Sequence, residues 1–465
     1  MQTLPKPSGP APITPLAALA RLVLRIFFRE LEVVGAENVP AGVPLVLVAN
    51  HVNGLVDPVL VLGALPLRPR FLGKSTLWKI PVLSSLLDLA GAIPIQRRQD
   101  EGADRSKNEE AFARCHEALA AGDTVAIFPE GTSHNEPALQ PLKTGAARIA
   151  LEAERRLGPL GVRLLPVGLL FDARGRFRSR ALVRVGEPLD PAPELALYAS
   201  DPAGAVRALT ARVDQALKEV TLNYATWEEA RLIARAADLY GRPGLDLPNR
   251  RTLEETFAIR RAMIDGYPEV KARFPERTAA VAEAVRAYDR LLRALGLRDD
   301  QVAAAYPAPP VAAFVGRTLL RLLVGLPLAV AGTLLNAVPF YLVHAIAHRT
   351  EDADQEATLK IFPSLVIYPL CWLVEAWAIG HWGSRLWGVL ALLAALPTGY
   401  AATLFHERRK RLGREVRAYL LLRTQGKIAA EIRARREEVY RQVAELVEAF
   451  QKAAPRAEAG PSGRS

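Results

Sequence analysis

The first regular pattern along the chain is a set of apolar residues at helical spacing, from Leu16 to Phe27. Arg21 and Arg25 interrupt this set, so the pattern predicts an amphipathic helix within residues 1–30. Such a helix can lie in the headgroup layer of a membrane with its arginines near lipid phosphates, or it can pack on its own domain. The pattern fits either surface, and both interpretations stay open.

Between residues 31 and 195, short apolar runs alternate with longer stretches of helical periodicity. Several runs are too uniformly apolar to have a wet face, which is typical of strands in a sheet that is covered on both sides. The predicted strands are residues 44–49, 92–95, 124–128, 163–168 and 182–185, and the predicted helices are residues 78–89, 108–121 and 144–157. We therefore expect an α/β domain with a mostly buried mixed sheet flanked by helices.

Helical periodicity alone continues through residues 196–310, which we interpret as a helical middle segment ending at a cluster of prolines. A charged helix is predicted over residues 406–453, and residues 454–465 have the composition of a disordered tail. The predicted C-terminal helix has one apolar face, formed by Ile428, Ile432, Val439, Val443, Leu446 and Phe450. That face can dock on the middle helices or pair with another chain.

Residues 311–405 form a hydrophobic region with three stretches that are almost free of charge, at residues 319–347, 361–379 and 386–405. Their lengths are near those needed to cross a bilayer. The region therefore predicts an integral membrane protein. An apolar helical domain buried within a soluble protein is the alternative.

Basic residues stand at both outer ends of this hydrophobic region. Arg317 and Arg321 lie at its start, and a basic cluster at residues 408–411 follows it. By the positive-inside rule, the α/β domain and the C-terminal helix both lie on the cytoplasmic side, and the number of crossings is even. Three simple crossings contradict this count. We therefore expect either that residues 361–405 do not make two full crossings, or that the first stretch, which contains prolines and glycine, is itself a hairpin.

The formal net charge of +11 arises from 60 basic and 49 acidic residues, a balance that suits nucleic acid, an anionic membrane or phosphorylated substrates. The sequence contains no recognisable nucleic-acid-binding module, so we assign the charge to membrane and phosphate and expect no nucleic-acid partner. Cys115 and Cys371 lie far apart, which supports neither a disulfide framework nor a cysteine-based zinc site. The proline-rich first residues do not have the pattern of a cleaved signal peptide.

The first candidate for chemistry is the segment from Asn50 to Pro58, which begins where a predicted buried strand ends. A histidine there, His51, can act as a general base near neutral pH, and a carboxylate such as Asp57 can fix its tautomer. Six residues of ideal helix would turn these two side chains apart, so the pair needs a turn, which Gly54 permits. Taken alone, the pair can equally be a surface or capping pair.

Two further segments follow predicted strands. In the segment from Phe128 to Ser133, a tight Glu130-Gly131 turn can bring a carboxylate and backbone N–H groups to the mouth of the sheet, to hold a substrate hydroxyl or an oxyanion. In the other segment, the predicted strand at residues 92–95 leads to Arg97 and Arg98, a residue type suited to phosphate. The alternative for the first segment is an ordinary turn before a helix, and the alternative for the two arginines is a solvated loop.

In their order and spacing these segments resemble the motifs of the glycerolipid acyltransferase family, which includes glycerol-3-phosphate and 1-acylglycerol-3-phosphate acyltransferases. The family's four motifs are similar to residues 50–58, 91–97, 128–132 and 164–168, and a common lysine-glycine step is similar to residues 143–145. The resemblance covers residues 30 to 190.

The chain departs from the usual family pattern at two positions. Five residues instead of four separate His51 from Asp57, which resembles a branch that includes fungal enzymes acting on glycerol-3-phosphate or dihydroxyacetone phosphate. The third motif ends in Ser133 where the family often has a phosphate-binding arginine. We therefore expect the phosphate to be bound by the remaining basic residues, which are Arg97, Arg98, Lys143 and Lys74, unless the acceptor differs.

The resemblance implies a membrane-bound O-acyltransferase of phospholipid synthesis, which moves a fatty acyl group from a thioester to a hydroxyl of glycerol-3-phosphate or 1-acylglycerol-3-phosphate. His51 and Asp57 are the implied catalytic pair, without an acyl-enzyme, a metal or a cofactor. The implied substrate-binding residues are Asn50, Lys74, Arg97, Arg98, Glu130, Gly131, Thr132, Ser133 and Lys143. The expected partners are the glycerol-phosphate acceptor, the acyl thioester donor and membrane lipid.

Two other functions stay open at this point. One is a catalytically inactive, acyltransferase-like membrane scaffold that binds lipid, and the other is a hydrolase that releases free fatty acid. The sequence also leaves open the acceptor, the acyl-chain length, the oligomeric state, and whether the donor is acyl-CoA or acyl-carrier protein.

Overall fold

The structure, a computed structural model, describes residues 14–96, 105–241, 251–303, 308–347 and 355–453. The contacts divide the chain into two compact units, the first formed by Met1–Asn223 and Leu335–Ala395 and the second by Tyr224–Leu334 and Leu396–Ser465. The tail predicted at residues 454–465 lies outside the described residues.

The first unit contains a seven-stranded mixed sheet with the strand order β1-β7-β6-β2-β5-β3-β4. All neighbouring strands are parallel except β6 and β7, which are antiparallel. The strands are β1 Phe28–Val34, β2 Leu45–Ala49, β3 Pro69–Lys74, β4 Ile93–Ile95, β5 Thr124–Ile127, β6 Arg163–Phe171 and β7 Ser179–Val185. The predicted α/β class with a mixed sheet and flanking helices is confirmed.

Helices make up most of the rest of the described chain. In chain order they are α1 Pro15–Phe27, α2 Val56–Ala64, α3 Pro81–Leu89, α4 Arg105–Ala120, α5 Gly145–Leu157, α6 Ala192–Tyr198, α7 Pro202–Val220, α8 Trp227–Tyr240, α9 Leu253–Arg273, α10 Pro275–Leu295, α11 Asp299–Ala303, α12 Ala308–Ala347, α13 Glu356–Trp382, α14 Arg385–Thr424 and α15 Gly426–Ala453. Two short 3-10 helices, Ala36–Asn38 and Ser75–Lys79, lie in the first unit.

The centre of the sheet determines where the functional residues emerge. β2 is buried along its whole length and runs parallel to β5 on one side and β6 on the other. Because parallel strands end at the same edge of a sheet, the loops after β2 and β5 are brought together there. The register of β3 against β5, with Phe71 opposite Ala126, also puts the end of β3 at this edge.

Helices cover both faces of the sheet. One core includes Leu24 of α1, Leu60 of α2 and the start of α13, and the other includes Ile149 of α5 and Leu209 of α7. A Cβ on Gly63 of α2 would lie 2.5 Å from Leu24 Cδ1, so α1 packs closely on its own domain. The opposite face of α1 remains exposed and is apolar at Leu19 and Leu22.

The hydrophobic region forms three long helices rather than a broken series. Within the described residues α12, α13 and α14 are each long and apolar enough to cross a membrane, and no more than 17% of each apolar window is buried. The expectation that the first stretch is a hairpin is wrong, because α12 is one continuous helix through Pro327, Gly332 and Pro339. α14 likewise continues to Thr424, well beyond residue 405, where the sequence suggested a boundary.

The second unit packs α15 against helices of the middle segment. Ile432, Val439 and Val443 of α15 are buried in one cluster with Val285 and Tyr288 of α10. This confirms one of the two predicted uses of the apolar face of the C-terminal helix, which is docking on the middle helices.

A buried polar network also holds the second unit together. The Arg436 Nε and the Tyr288 hydroxyl each donate to Asp299 Oδ1 at 2.9 Å, and all three side chains are buried. Burial raises the pKa of Tyr288, so this phenol stays protonated and donates.

Candidate active site

The turn after β2 brings His51 and Asp57 together. Gly54 adopts a positive φ of 47°, and α2 begins at Val56, so that Asp57 lies in its first turn and faces back toward β2. Asp57 Oδ2 accepts hydrogen bonds from His51 Nδ1 at 3.0 Å and from the backbone N–H groups of Val52 and Asn53 at 2.8 Å each. The turn that the pair requires is therefore present.

This pairing determines the tautomer of His51. Because the Asp57 carboxylate accepts from Nδ1, the neutral ring carries its proton there, and Nε2 keeps its lone pair. Asp57 is fully buried, whereas 14% of the His51 side chain is exposed. The ring of His51 stacks on Phe128 at a centroid distance of 4.2 Å. Among the described residues, no group bonds to Nε2, which leaves this atom open to accept a proton.

Glu130, after β5, holds the backbone of His51. Its Oε1 accepts from the His51 backbone N–H at 2.7 Å, and its Oε2 accepts from the Gln140 backbone N–H at 2.7 Å. Oε2 also bonds to the His134 ring, and the Glu130 carboxylate is fully buried. The expected contact of Glu130 with the acceptor hydroxyl stays a prediction, because both oxygens have protein partners in this conformation.

The Gly131 turn carries a lysine above it. Gly131 has a φ of 77°, and a Cβ at this position would lie 2.3 Å from Lys143 Nζ. The Lys143 backbone N–H donates to Pro129 O at 2.8 Å, which anchors the lysine beside the turn. The Gly131 N–H donates to Phe128 O at 3.0 Å, so this N–H is engaged within the turn. Lys143, an exposed residue, thus holds its ammonium over this turn.

The other predicted substrate-binding residues occupy varied places. Asn50 is buried and ties the end of β2 to β6, since it accepts from the Leu169 N–H at 2.7 Å and donates to the Leu169 C=O at 3.0 Å. Thr132 is exposed and Ser133 is half-buried in the turn after β5, and Lys74 is the half-buried last residue of β3. Arg97 and Arg98 lie outside the described residues.

Sequence reasoning missed that the first turn of α13 packs against the turn that carries His51 and Asp57. The Leu55 N–H, at the start of α2, donates to Thr358 Oγ1 at 3.0 Å. Ala357 and Ile361 are buried in the core beneath this turn, and Lys360 Nζ donates to Gly175 O at 2.7 Å. No local signal predicts this contact, because about three hundred residues separate the partners in sequence.

Two further observations bear on the chemistry available at this site. Cys115 is buried in α4, and burial raises the pKa of its thiol to about 12, so a nucleophilic thiolate is strongly disfavoured. The part of the chain that the structure describes contains no group of three or more His, Cys, Asp or Glu side chains arranged to hold a metal ion.

Comparisons with known proteins find family models that match the segments forming this site. Residues 30–169 match the family model described as Acyltransferase, and residues 232–455 match the model described as Glycerol-3-phosphate acyltransferase 2 C-terminal domain. The first match contains the segments of His51, Asp57 and Glu130, and the second contains α12 to α14.

Three curated relatives illustrate the similarity. The glycerol-3-phosphate O-acyltransferase 2 of Saccharomyces cerevisiae is 26% identical, over 61% of this chain and 51% of the relative. An uncharacterized acyltransferase of Schizosaccharomyces pombe is 27% identical, over 73% of this chain and 62% of the relative. A chloroplastic 1-acyl-sn-glycerol-3-phosphate acyltransferase of Brassica napus is 30% identical, over 31% of this chain and 38% of the relative.

The chain thus spans between half and two thirds of the length of the two fungal relatives. The resemblance predicted from the four motifs and from the five-residue spacing is confirmed by the two matched domains and by the fungal relatives. By these two matched domains and these relatives, the chain is therefore similar to the glycerolipid acyltransferases.

Proposed function

We propose that this protein transfers a fatty acyl group from an acyl thioester to a hydroxyl of glycerol-3-phosphate or 1-acylglycerol-3-phosphate, with His51 as the general base. The observation that carries the proposal is the His51–Asp57 pair at 3.0 Å, with Nε2 open at the carboxyl edge of the sheet. The names of the relatives, which act on these two acceptors, support the substrate class.

The chemistry proceeds by direct attack. His51 Nε2 takes the proton of the acceptor hydroxyl while its oxygen bonds to the thioester carbonyl carbon. The tetrahedral intermediate then collapses, the carbon–sulfur bond breaks, and the departing thiolate takes the proton back from the imidazolium. The Asp57 carboxylate stabilises that imidazolium and keeps the ring oriented.

The basic residues at the same edge suit the phosphate of the acceptor. Lys143, an exposed residue, holds its ammonium over the Gly131 turn, and Lys74 ends β3 at the same edge. An ammonium is a compact point charge that binds phosphate. The two lysines therefore compensate for the arginine that the family often has at the position of Ser133. Arg97 and Arg98 follow β4 in sequence and remain predicted contributors.

The apolar helices suit attachment to a bilayer, from which the acyl chain enters. Three exposed tryptophans, Trp377, Trp382 and Trp387, lie around the turn between α13 and α14, a position typical of a membrane interface. We place the catalytic domain on the cytoplasmic side, where the basic cluster at residues 408–411 also belongs. This placement requires that only two of the three apolar helices cross the bilayer completely. A reporter fused after Phe450 is expected to be accessible from the cytoplasmic side, and accessibility only from outside contradicts this orientation.

An acceptor-dependence assay tests the function. Purified protein in detergent or vesicles is given acyl-CoA or acyl-carrier protein, with glycerol-3-phosphate, with 1-acylglycerol-3-phosphate, or without acceptor, and thiol release and lipid product are followed. The proposal predicts rapid thiol release and product only with an acceptor. Equal thiol release without acceptor identifies a hydrolase, and no release under any condition favours the inactive scaffold.

A further inference from the structure

His134 lies in the turn after β5 and has partners on both ring nitrogens. Nδ1 faces the Glu136 backbone N–H at 3.1 Å, and Nε2 faces Glu130 Oε2. A backbone N–H only donates, so Nδ1 accepts and carries no proton. The proton of the neutral ring is therefore on Nε2 and is donated to the Glu130 carboxylate.

Glu130 transmits this contact to the catalytic base. Its Oε1 accepts from the His51 N–H at 2.7 Å, while the His134 backbone N–H donates to the His51 C=O at 3.2 Å. Both backbone polar groups of His51 are thus held by residues of one turn. The buried Glu130 carboxylate has no solvent with which to replace a lost partner, so its position depends on these donors.

We propose that His134 is a positioning residue, which fixes Glu130 through its Nε2–H and thereby holds the backbone of His51 in the geometry needed for proton transfer. The inference rests on the proposed function of His51 as general base. His134 itself is not proposed to exchange a proton with substrate, because both of its nitrogens are bonded within the protein. Proton transfer requires placement within a few tenths of an ångström, so a small shift of the His51 backbone lowers turnover.

A pair of substitutions separates the two contacts of the ring. The amide nitrogen of glutamine reaches the region of Nε2, so His134→Gln keeps a donor for Glu130. The amide oxygen of asparagine takes the place of Nδ1, so His134→Asn keeps the acceptor for Glu136 but leaves Glu130 without this donor. The two variants are matched in charge and differ in the contact that the proposal invokes.

Steady-state kinetics of the full-length variants with acyl-CoA and a glycerol-phosphate acceptor give the first readout. We expect His134→Asn to lower kcat about tenfold or more, with both KM values within about twofold of wild type, and His134→Gln to keep kcat within about threefold. Wild-type kcat in His134→Asn overturns the proposal. Equal losses in both variants also overturn it, because they point to general damage of the turn.

Histidine-selective nitrogen NMR gives a readout that does not need turnover, so it remains decisive if the wild-type protein fails to transfer acyl groups. Wild type is expected to have the proton of His134 on Nε2 and that of His51 on Nδ1. In His134→Asn the His51 Nδ1–H signal is expected to broaden through exchange with water, and in His134→Gln it is expected to persist. A wild-type His134 with its proton on Nδ1, or an unchanged His51 signal in His134→Asn, contradicts the proposal.

Discussion

The charge of Asp57 can be removed while its geometry is kept. Two backbone N–H groups, from Val52 and Asn53, point at Oδ2 at 2.8 Å. In Asp57→Asn these donors favour the amide oxygen in that place, so it still accepts from the His51 Nδ1–H and the tautomer is retained. The variant therefore isolates the electrostatic contribution of the carboxylate to the imidazolium that forms in the proposed reaction.

The size of that contribution follows from the contact. His51 Nδ1 and Asp57 Oδ2 are 3.0 Å apart, which puts the two charge centres about 4 Å apart. With an effective dielectric constant of about 20, two unit charges at that distance interact by about 4 kcal/mol. Since about 1.4 kcal/mol corresponds to a tenfold change in rate, this sets an upper limit of about 10³. We expect Asp57→Asn to lower kcat about 10²- to 10³-fold, with small changes in either KM.

The assay is thiol release from the donor under saturating acceptor, with folding checked by circular dichroism and thermal unfolding. Asp214→Asn, at a partly exposed carboxylate paired with Lys218, is a control that should keep full activity. Asp57→Ala should lose more activity and also stability, because it leaves two buried N–H groups without an acceptor. Turnover of Asp57→Asn within threefold of wild type refutes the electrostatic role.

Three further predictions test other parts of the structure. Lys143→Met should raise the acceptor KM several-fold more than the donor KM, and equal effects on both would point to structural damage. Thr358→Val removes the acceptor for the Leu55 N–H and should lower kcat a few-fold. Thr358→Ser keeps the hydroxyl and should keep kcat near that of wild type. Identical kcat values for the two variants contradict a role for this contact. Arg436→Met leaves the buried Asp299 carboxylate without its cation and should lower the stability of the second unit by about 3–5 kcal/mol in chemical unfolding, and an unchanged midpoint contradicts this.

The sequence predicted five of the seven described strands, β2, β4, β5, β6 and β7, and missed β1 and β3. β2 is apolar at every position, as expected for a strand covered on both faces. β1 and β3 were not predicted, because β1 is an edge strand that contains Glu30 and Glu32, and β3 begins with proline and contains Arg70. Charged positions within a strand remove the uniform run that local reasoning depends on.

The same limit applies to the site. The His51–Asp57 pair could be predicted because one turn joins its members, whereas the bond from the His51 N–H to Glu130 spans 79 positions and depends on the register of β2 against β5. The docking of Thr358 depends on how a helix from the hydrophobic region meets α2, which no local pattern encodes. The prolines of α12 were interpreted as breaks, but in an apolar helix neighbouring groups and local adjustment can accommodate them.

The most direct test of the central claim is the turnover of His51→Ala in protein that folds and associates with membrane as wild type does. The account predicts that acyl transfer falls at least about 10³-fold, because the base acts only in the chemical step, while binding of donor and acceptor is little changed. His381→Ala, an exposed histidine of α13 outside the site, should retain wild-type turnover. Wild-type turnover by folded His51→Ala protein would contradict the assignment of His51 as the general base.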